Sequence, residues 1–189
     1  MTGPQITLAR KSGAAALQAR VKSIGRLAAY VGIPATSANE RRQQLLKMAG
    51  KATGKKKKRL EKAAETDINN AELLYVFEKG SPKRHQPPRP LLNPAIEADD
   101  NKKKISFQLN ASTKASLAGD QETARKRMKA AALAGENAAR LWFVDPRNKW
   151  QPNAPSVAAA KRRKGSTEPV PGIDTGAMRA AIQGITREE

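Results

Sequence analysis

The stretch Leu73–Pro94, LLYVFEKGSPKRHQPPRPLLNP, leaves this chain the fewest choices. Pro82, Pro87, Pro88 and Pro90 fix φ at four places within nine residues and remove four backbone donors, so neither a helix nor a central strand can run through them. A segment so constrained has little entropy left to lose on docking, and is expected to form a rigid elbow. Before it, Leu73, Leu74, Tyr75, Val76 and Phe77 make an apolar run rich in β-formers that stops at Lys79-Gly80. With Asn69-Asn70 read as the turn into it, this run predicts a strand near 71–78. After the elbow, Leu91, Leu92, Ala95 and Ile96 begin a helical pattern.

A strand this short needs a partner and a cover. The partner expected is residues 180–187, after the turn Gly172-Ile173-Asp174-Thr175-Gly176. The cover comes from helices. Leu17, Val21, Ile24 and Ala28 recur every three or four residues and predict an amphipathic helix over 13–30, ended by Gly32-Ile33-Pro34. A second helix, capped by Ser37 or Asn39, runs to Gly50. Two further stretches lie between Leu91 and Ala118. The strongest pattern spans Gln121–Phe143, where Ala124, Met128, Ala131, Ala132, Gly135, Ala138, Ala139 and Trp142 share a face made mostly of small residues. Asp120 is its expected N-cap. The fold class that follows is α+β: helix-rich, with a small antiparallel sheet (strands near 71–78 and 180–187) packed against long helices. The chain reads as a basic helical region, residues 1–65, followed by an α+β domain, residues 66–189, with a long loop at 145–172. Trp142 and Trp150 are expected to pack against the sheet and pin the root of that loop.

Charge narrows the partners. Thirty-six Lys and Arg against seventeen Asp and Glu give +19, a surface that attracts polyanions or acidic protein faces. The run Lys51–Lys62 holds seven basic residues and one acid. It reads either as a solvated loop or frayed helix end, or as a polyanion contact made by Lys55, Lys56, Lys57, Lys58 and Arg59. Lys161, Arg162, Arg163 and Lys164 form a second such knot. Nothing interleaved with the Lys51–Lys62 run resembles a base-reading or base-stacking surface. The apolar fraction of 39% is low and aromatics are 4%, which predicts a modest core that completes its stabilisation in an assembly. No stretch approaches the roughly 18 apolar residues of a membrane span, and the expectation is a chain made in the cytoplasm with no membrane partner.

Catalytic patterns are weak. The chain has no cysteine and one histidine, His85, in the proline turn. Lys164-Gly165-Ser166-Thr167 lacks the upstream glycine of a phosphate loop. Asp174-Thr175-Gly176 occurs once, whereas aspartic-protease chemistry needs two such aspartates sharing a proton. Glu61 and Glu65 share a helical spacing but are flanked by lysines. The reading is a non-enzyme with no metal and no cofactor.

The order of the pieces carries a resemblance. Phe77-Glu78-Lys79-Gly80-Ser81-Pro82 leads to Pro87-Pro88-Arg89-Pro90-Leu91-Leu92 and a long helix. Later come Trp150-Gln151-Pro152-Asn153-Ala154-Pro155-Ser156, then Lys161–Gly165, then Pro171-Gly172-Ile173-Asp174-Thr175-Gly176-Ala177-Met178 with Ile182. Over about residues 72–185 this resembles a family of small tailed-bacteriophage morphogenesis proteins, the neck, head–tail connector or tail-completion proteins. Leu91-Leu92 stands where that family carries phenylalanine. The resemblance implies a virion protein at the head–tail junction or tail top, assembled as a hexameric or dodecameric ring. Its partners would be neighbouring connector and tail proteins, with DNA in the channel as a further one. Pro87, Pro88, Arg89, Pro90, Trp150, Pro152, Asn153, Pro155, Asp174 and Thr175 are then the candidate subunit or ring contacts. The competing readings are a nonspecific basic nucleic-acid-binding protein and another minor tail or tail-terminator protein.

Overall fold

A computed structural model describes residues 6–34, 38–66, 68–163, 169–174 and 176–188. The element order is α1 (Ile6–Arg26), β1 (Leu27–Gly32), α2 (Ala38–Gly50), α3 (Gly54–Ala64), α4 (Asn70–Lys79), α5 (Leu92–Glu97), α6 (Asp99–Ala118), α7 (Gln121–Trp142), α8 (Pro155–Arg162), α9 (Ala177–Ala181) and β2 (Gln183–Glu188). Short 3-10 turns sit at Pro82–Arg84 and Pro146–Asn148. The architecture is helix-rich α+β, with β1 and β2 paired as a two-stranded antiparallel sheet.

The strand expected at 71–78 is instead helix α4. Asn69 accepts from the Glu72 amide at 2.8 Å while the Glu72 carboxylate accepts from the Asn69 amide at 3.0 Å, a reciprocal cap that starts a helix. Asn70, Leu74 and Phe77 then bury one face at helical spacing, leaving Tyr75 exposed. The partner of β2 is β1, cut from the end of the segment expected to be helical to residue 30. Tyr30-Val31 favours extension, and the Arg187 guanidinium lies 5.7 Å from the centre of the Tyr30 ring. Residues 177–181 form α9, so the final strand begins at Gln183. The segment 145–172 is not one loop, since it contains α8.

Compact packing divides the chain into two units that interleave in sequence and do not part at residue 65. The first comprises the described residues of 6–30, 98–135 and 184–188. Here α1 packs on α6. The Arg20 guanidinium donates to the Leu117 carbonyl at 3.1 Å, beside Gly119 at φ 91°, and so closes the carbonyl end of α6 with a cation. Ser112 donates to the Ala124 carbonyl at 2.7 Å, tying α6 to α7. The amide of Thr123 donates to Asp120 at 2.9 Å, the cap expected for α7. Ala124, Met128, Ala131 and Ala132 are buried on the anticipated face. That face lets β2 come close: a Cβ added to Gly184 would collide with the Ala132 carbonyl and stand 3.1 Å from the Leu133 nitrogen. Leu17 and Val21, expected to face a core, are 53% exposed.

The second unit comprises the described residues of 31–97 and 136–183. Helices α2 and α3 form a hairpin around Leu45, Ala49, Leu60 and Ala64. Full burial of each leucine contributes about 1.5–3 kcal/mol, so this is a small core. Arg41 reinforces it by donating to the Ala63 carbonyl and to Thr66. The rest of the unit is built around Phe77, Phe143 and Trp150.

Candidate docking site at the proline elbow

Gly80 turns the chain out of α4 at φ 75°, where a Cβ would stand 2.7 Å from the Gln86 carbonyl oxygen. Ser81 and Gln86 exchange backbone hydrogen bonds of 2.9 and 3.0 Å, closing a small loop over the 3-10 turn at Pro82–Arg84. His85, in the left-handed region at φ 49°, finishes that turn. His85 is therefore an exposed turn residue. The chain then returns to its starting point, as the Arg89 amide donates to the Phe77 carbonyl at 3.0 Å. Glu78 accepts from the Leu91 and Leu92 amides at 3.1 and 2.8 Å, capping the start of α5 and holding Leu91 fully buried.

Arg89 is buried among this scaffolding. Its Nε and Nη2 both donate to the Gln151 carbonyl, at 3.3 and 3.1 Å, and its guanidinium lies 5.8 Å from the centre of the Phe77 ring. Burial pulls its pKa below the ordinary arginine value. A guanidinium nevertheless stays charged in proteins, so the side chain is a fixed cation that staples the elbow to residues 150–151. Trp150 adds a second staple, its indole N–H donating to the Pro90 carbonyl at 2.9 Å. The Trp150 ring meets Phe77 and Phe143 edge-on, with centroids 5.1 and 5.7 Å apart, while Phe77 and Phe143 stack at 5.9 Å. Such geometries add about 0.5–1.5 kcal/mol each beyond burial.

The third segment closes on the same cluster. Gly172, at φ 75°, lies so close that an added Cβ would be 2.7 Å from Phe77 and 2.9 Å from Phe143. Asn153 donates to the Pro169 carbonyl at 2.5 Å, and Lys161 Nζ donates to the carbonyls of Val170 and Ile173 at 2.5 and 2.8 Å. Asp174 forms an ion pair with Arg59. Arg59, Lys161 and Asp174 line an open hollow of about 360 Å³ with Ser156, Val157 and Ala160.

Of the candidate contacts, Arg89, Pro90, Trp150 and Asn153 are thus drawn into one knot. Pro88, Pro90, Pro152 and Pro155 are exposed on its surface, Pro87 is half-buried, and Thr175 lies outside the described residues. Trp150, expected against the sheet, packs instead on Phe77 and Phe143, and the Trp142 ring lies 5.4 Å from the Arg147 guanidinium. The candidate polyanion contacts divide. Lys55, Lys56, Lys57, Lys58, Arg162 and Arg163 are exposed, Lys164 lies outside the described residues, and Arg59 and Lys161 are engaged within the chain. Phe143 and Gly172 were not singled out as site residues, although the Pro171-Gly172 pair signals a tight turn.

No family model matches the sequence, no curated protein matches it, and no solved structure matches the fold.

Proposed function

We propose that this chain is a structural virion protein of a tailed bacteriophage, acting in the neck or tail top to join head and tail or to complete the tail, as a homo-oligomeric ring. The observation that carries the reading is convergence. Three sequence segments bear the resemblance to neck and tail-completion proteins: Phe77–Leu92, Trp150–Ser156 and Pro171–Ile182. They lie far apart in the chain, and all of them supply atoms to or around the Phe77–Phe143–Trp150 cluster. Motifs that merely matched by composition have no reason to share a cluster. The knot holds the exposed prolines of the elbow stiffly, so docking another subunit costs little ordering entropy.

Deleting the gene from a phage that carries it tests the reading. DNA-filled heads and unjoined or unfinished tails in electron micrographs, restored to whole particles by the gene in trans, are the expected result. Normal infectious particles from the deletion would overturn it.

A further inference from the structure

We propose that the α2–α3 hairpin binds the phosphate backbone of duplex nucleic acid without reading its sequence, a property that does not depend on the virion reading. Residues 38–66 carry ten basic side chains and three acidic ones. The described structure engages two of the ten internally, Arg41 on the Ala63 carbonyl and Arg59 on Asp174. The other eight make no ion pair among the described residues. Lys55, Lys58 and Lys62 recur at three and four residues on the side of α3 away from Leu60 and Ala64. Lys47 does the same on α2 relative to Leu45 and Ala49, and Lys51 is exposed in the turn that follows that helix. The small core thus serves to display cations.

The chemistry of the patch selects the partner. Protein interfaces are depleted in lysine at their cores and enriched in aromatics and arginine. Here the free cations are seven lysines and one arginine, and residues 38–66 contain no Phe, Tyr or Trp. Lysine is a compact, strongly hydrated point charge suited to phosphate. Without an aromatic ring there is no platform on which unpaired bases could stack, which disfavours single strands. The scale also fits. Lys55 to Lys62 spans about 10.5 Å of helix, a length over which a duplex carries about six charges.

The test uses the full chain and fluorescence anisotropy with a labelled mixed-sequence DNA duplex between 50 and 200 mM salt, a range over which counterion release is readily resolved. One variant combines Lys55→Gln, Lys56→Gln, Lys57→Gln and Lys58→Gln. A second removes the same charge elsewhere, with Lys103→Gln, Lys104→Gln, Lys126→Gln and Lys129→Gln. Wild-type affinity should fall steeply with salt. The hairpin variant should reduce the log–log slope by about three and weaken binding at low salt at least about tenfold, while the second variant changes affinity less than about threefold. If circular dichroism shows helix lost in the hairpin variant, the four-fold Lys→Arg variant decides, and it should keep the wild-type slope. Three results would overturn the proposal: no salt-dependent binding, equal losses in the two glutamine variants, or competition by polyglutamate as effective as by unlabelled duplex.

Discussion

The indole N–H of Trp150 donates to the carbonyl of Pro90, 2.9 Å away and sixty residues earlier in the chain. The same ring is edge-on to Phe77 and Phe143, so one side chain both orients the elbow and closes the aromatic cluster. The two roles separate by substitution. Trp150→Phe keeps the ring contacts and loses the hydrogen bond, and should cost about 1 kcal/mol. Trp150→Ala loses both and should cost about 3 kcal/mol. Denaturant unfolding measures each. Equal costs would mean that the hydrogen bond alone carries the coupling.

Two glycines with nearly the same backbone conformation allow crowding to be weighed apart from backbone strain. Gly172 sits at φ 75° and Gly176 at φ 80°, but an added Cβ meets Phe77 at 2.7 Å in the first case and nothing within 4 Å in the second. Gly176→Ala should therefore cost about 1–2 kcal/mol, the left-handed penalty alone. Gly172→Ala adds overpacking of about 1–3 kcal/mol. Thermal melts of the pair should rank Gly172→Ala well below Gly176→Ala. Equal melting temperatures would show that the aromatic rings give way freely.

Acid should loosen the root of the segment after α7. Asp145 accepts from the Arg147 side chain at 2.7 and 3.0 Å and from the Arg147 amide at 2.8 Å, and the side-chain hydrogen bond chiefly holds its pKa below the ordinary aspartate value. The unfolded chain, with an aspartate pKa of roughly 3.9, binds that proton first as pH falls. The contribution is therefore fully present above that value and is lost as pH drops through the lower folded-state pKa. Asp120, held down chiefly by the Thr123 amide, and Glu188, held down chiefly by Arg125, act in the same direction. The urea midpoint should stay flat from neutral pH to about 5 and decline below about 4. Asp145→Asn should make that decline shallower without abolishing it. An unchanged pH profile in the variant would remove Asp145 from the account.

Helices were readable where their periodicity was long. The buried face of α7 is the one that the spacing of Ala124, Met128 and Ala131 indicates, because small residues repeated over six turns admit no other face. Residues 73–77 misled because five consecutive apolar side chains satisfy a strand and a helix equally. The deciding signal lay outside the run, in Asn69 and Glu72, whose spacing of three is that of a helix cap and not of a turn. β1 was hidden for the opposite reason: Leu27 and Ala28 continue the α1 pattern, and only pairing with β2 makes them extended. In the candidate site, the prolines and Trp150 stood out by residue type. Their meeting with Gly172 and Phe143 is a matter of tertiary contact that no local spacing encodes.

Gly184 rests against the backbone of α7 at Ala132 and Leu133 with no room for a Cβ. A two-stranded ribbon on its own is free to slide, and a slip of one residue would turn every side chain of β2 to the opposite side. Here any slip would bring Gln183 or Ile185 onto the Ala132 carbonyl, where neither fits. The helix therefore acts as a notch that admits one position of the strand, and the sheet takes its alignment from a neighbour to which it is not hydrogen-bonded as a strand.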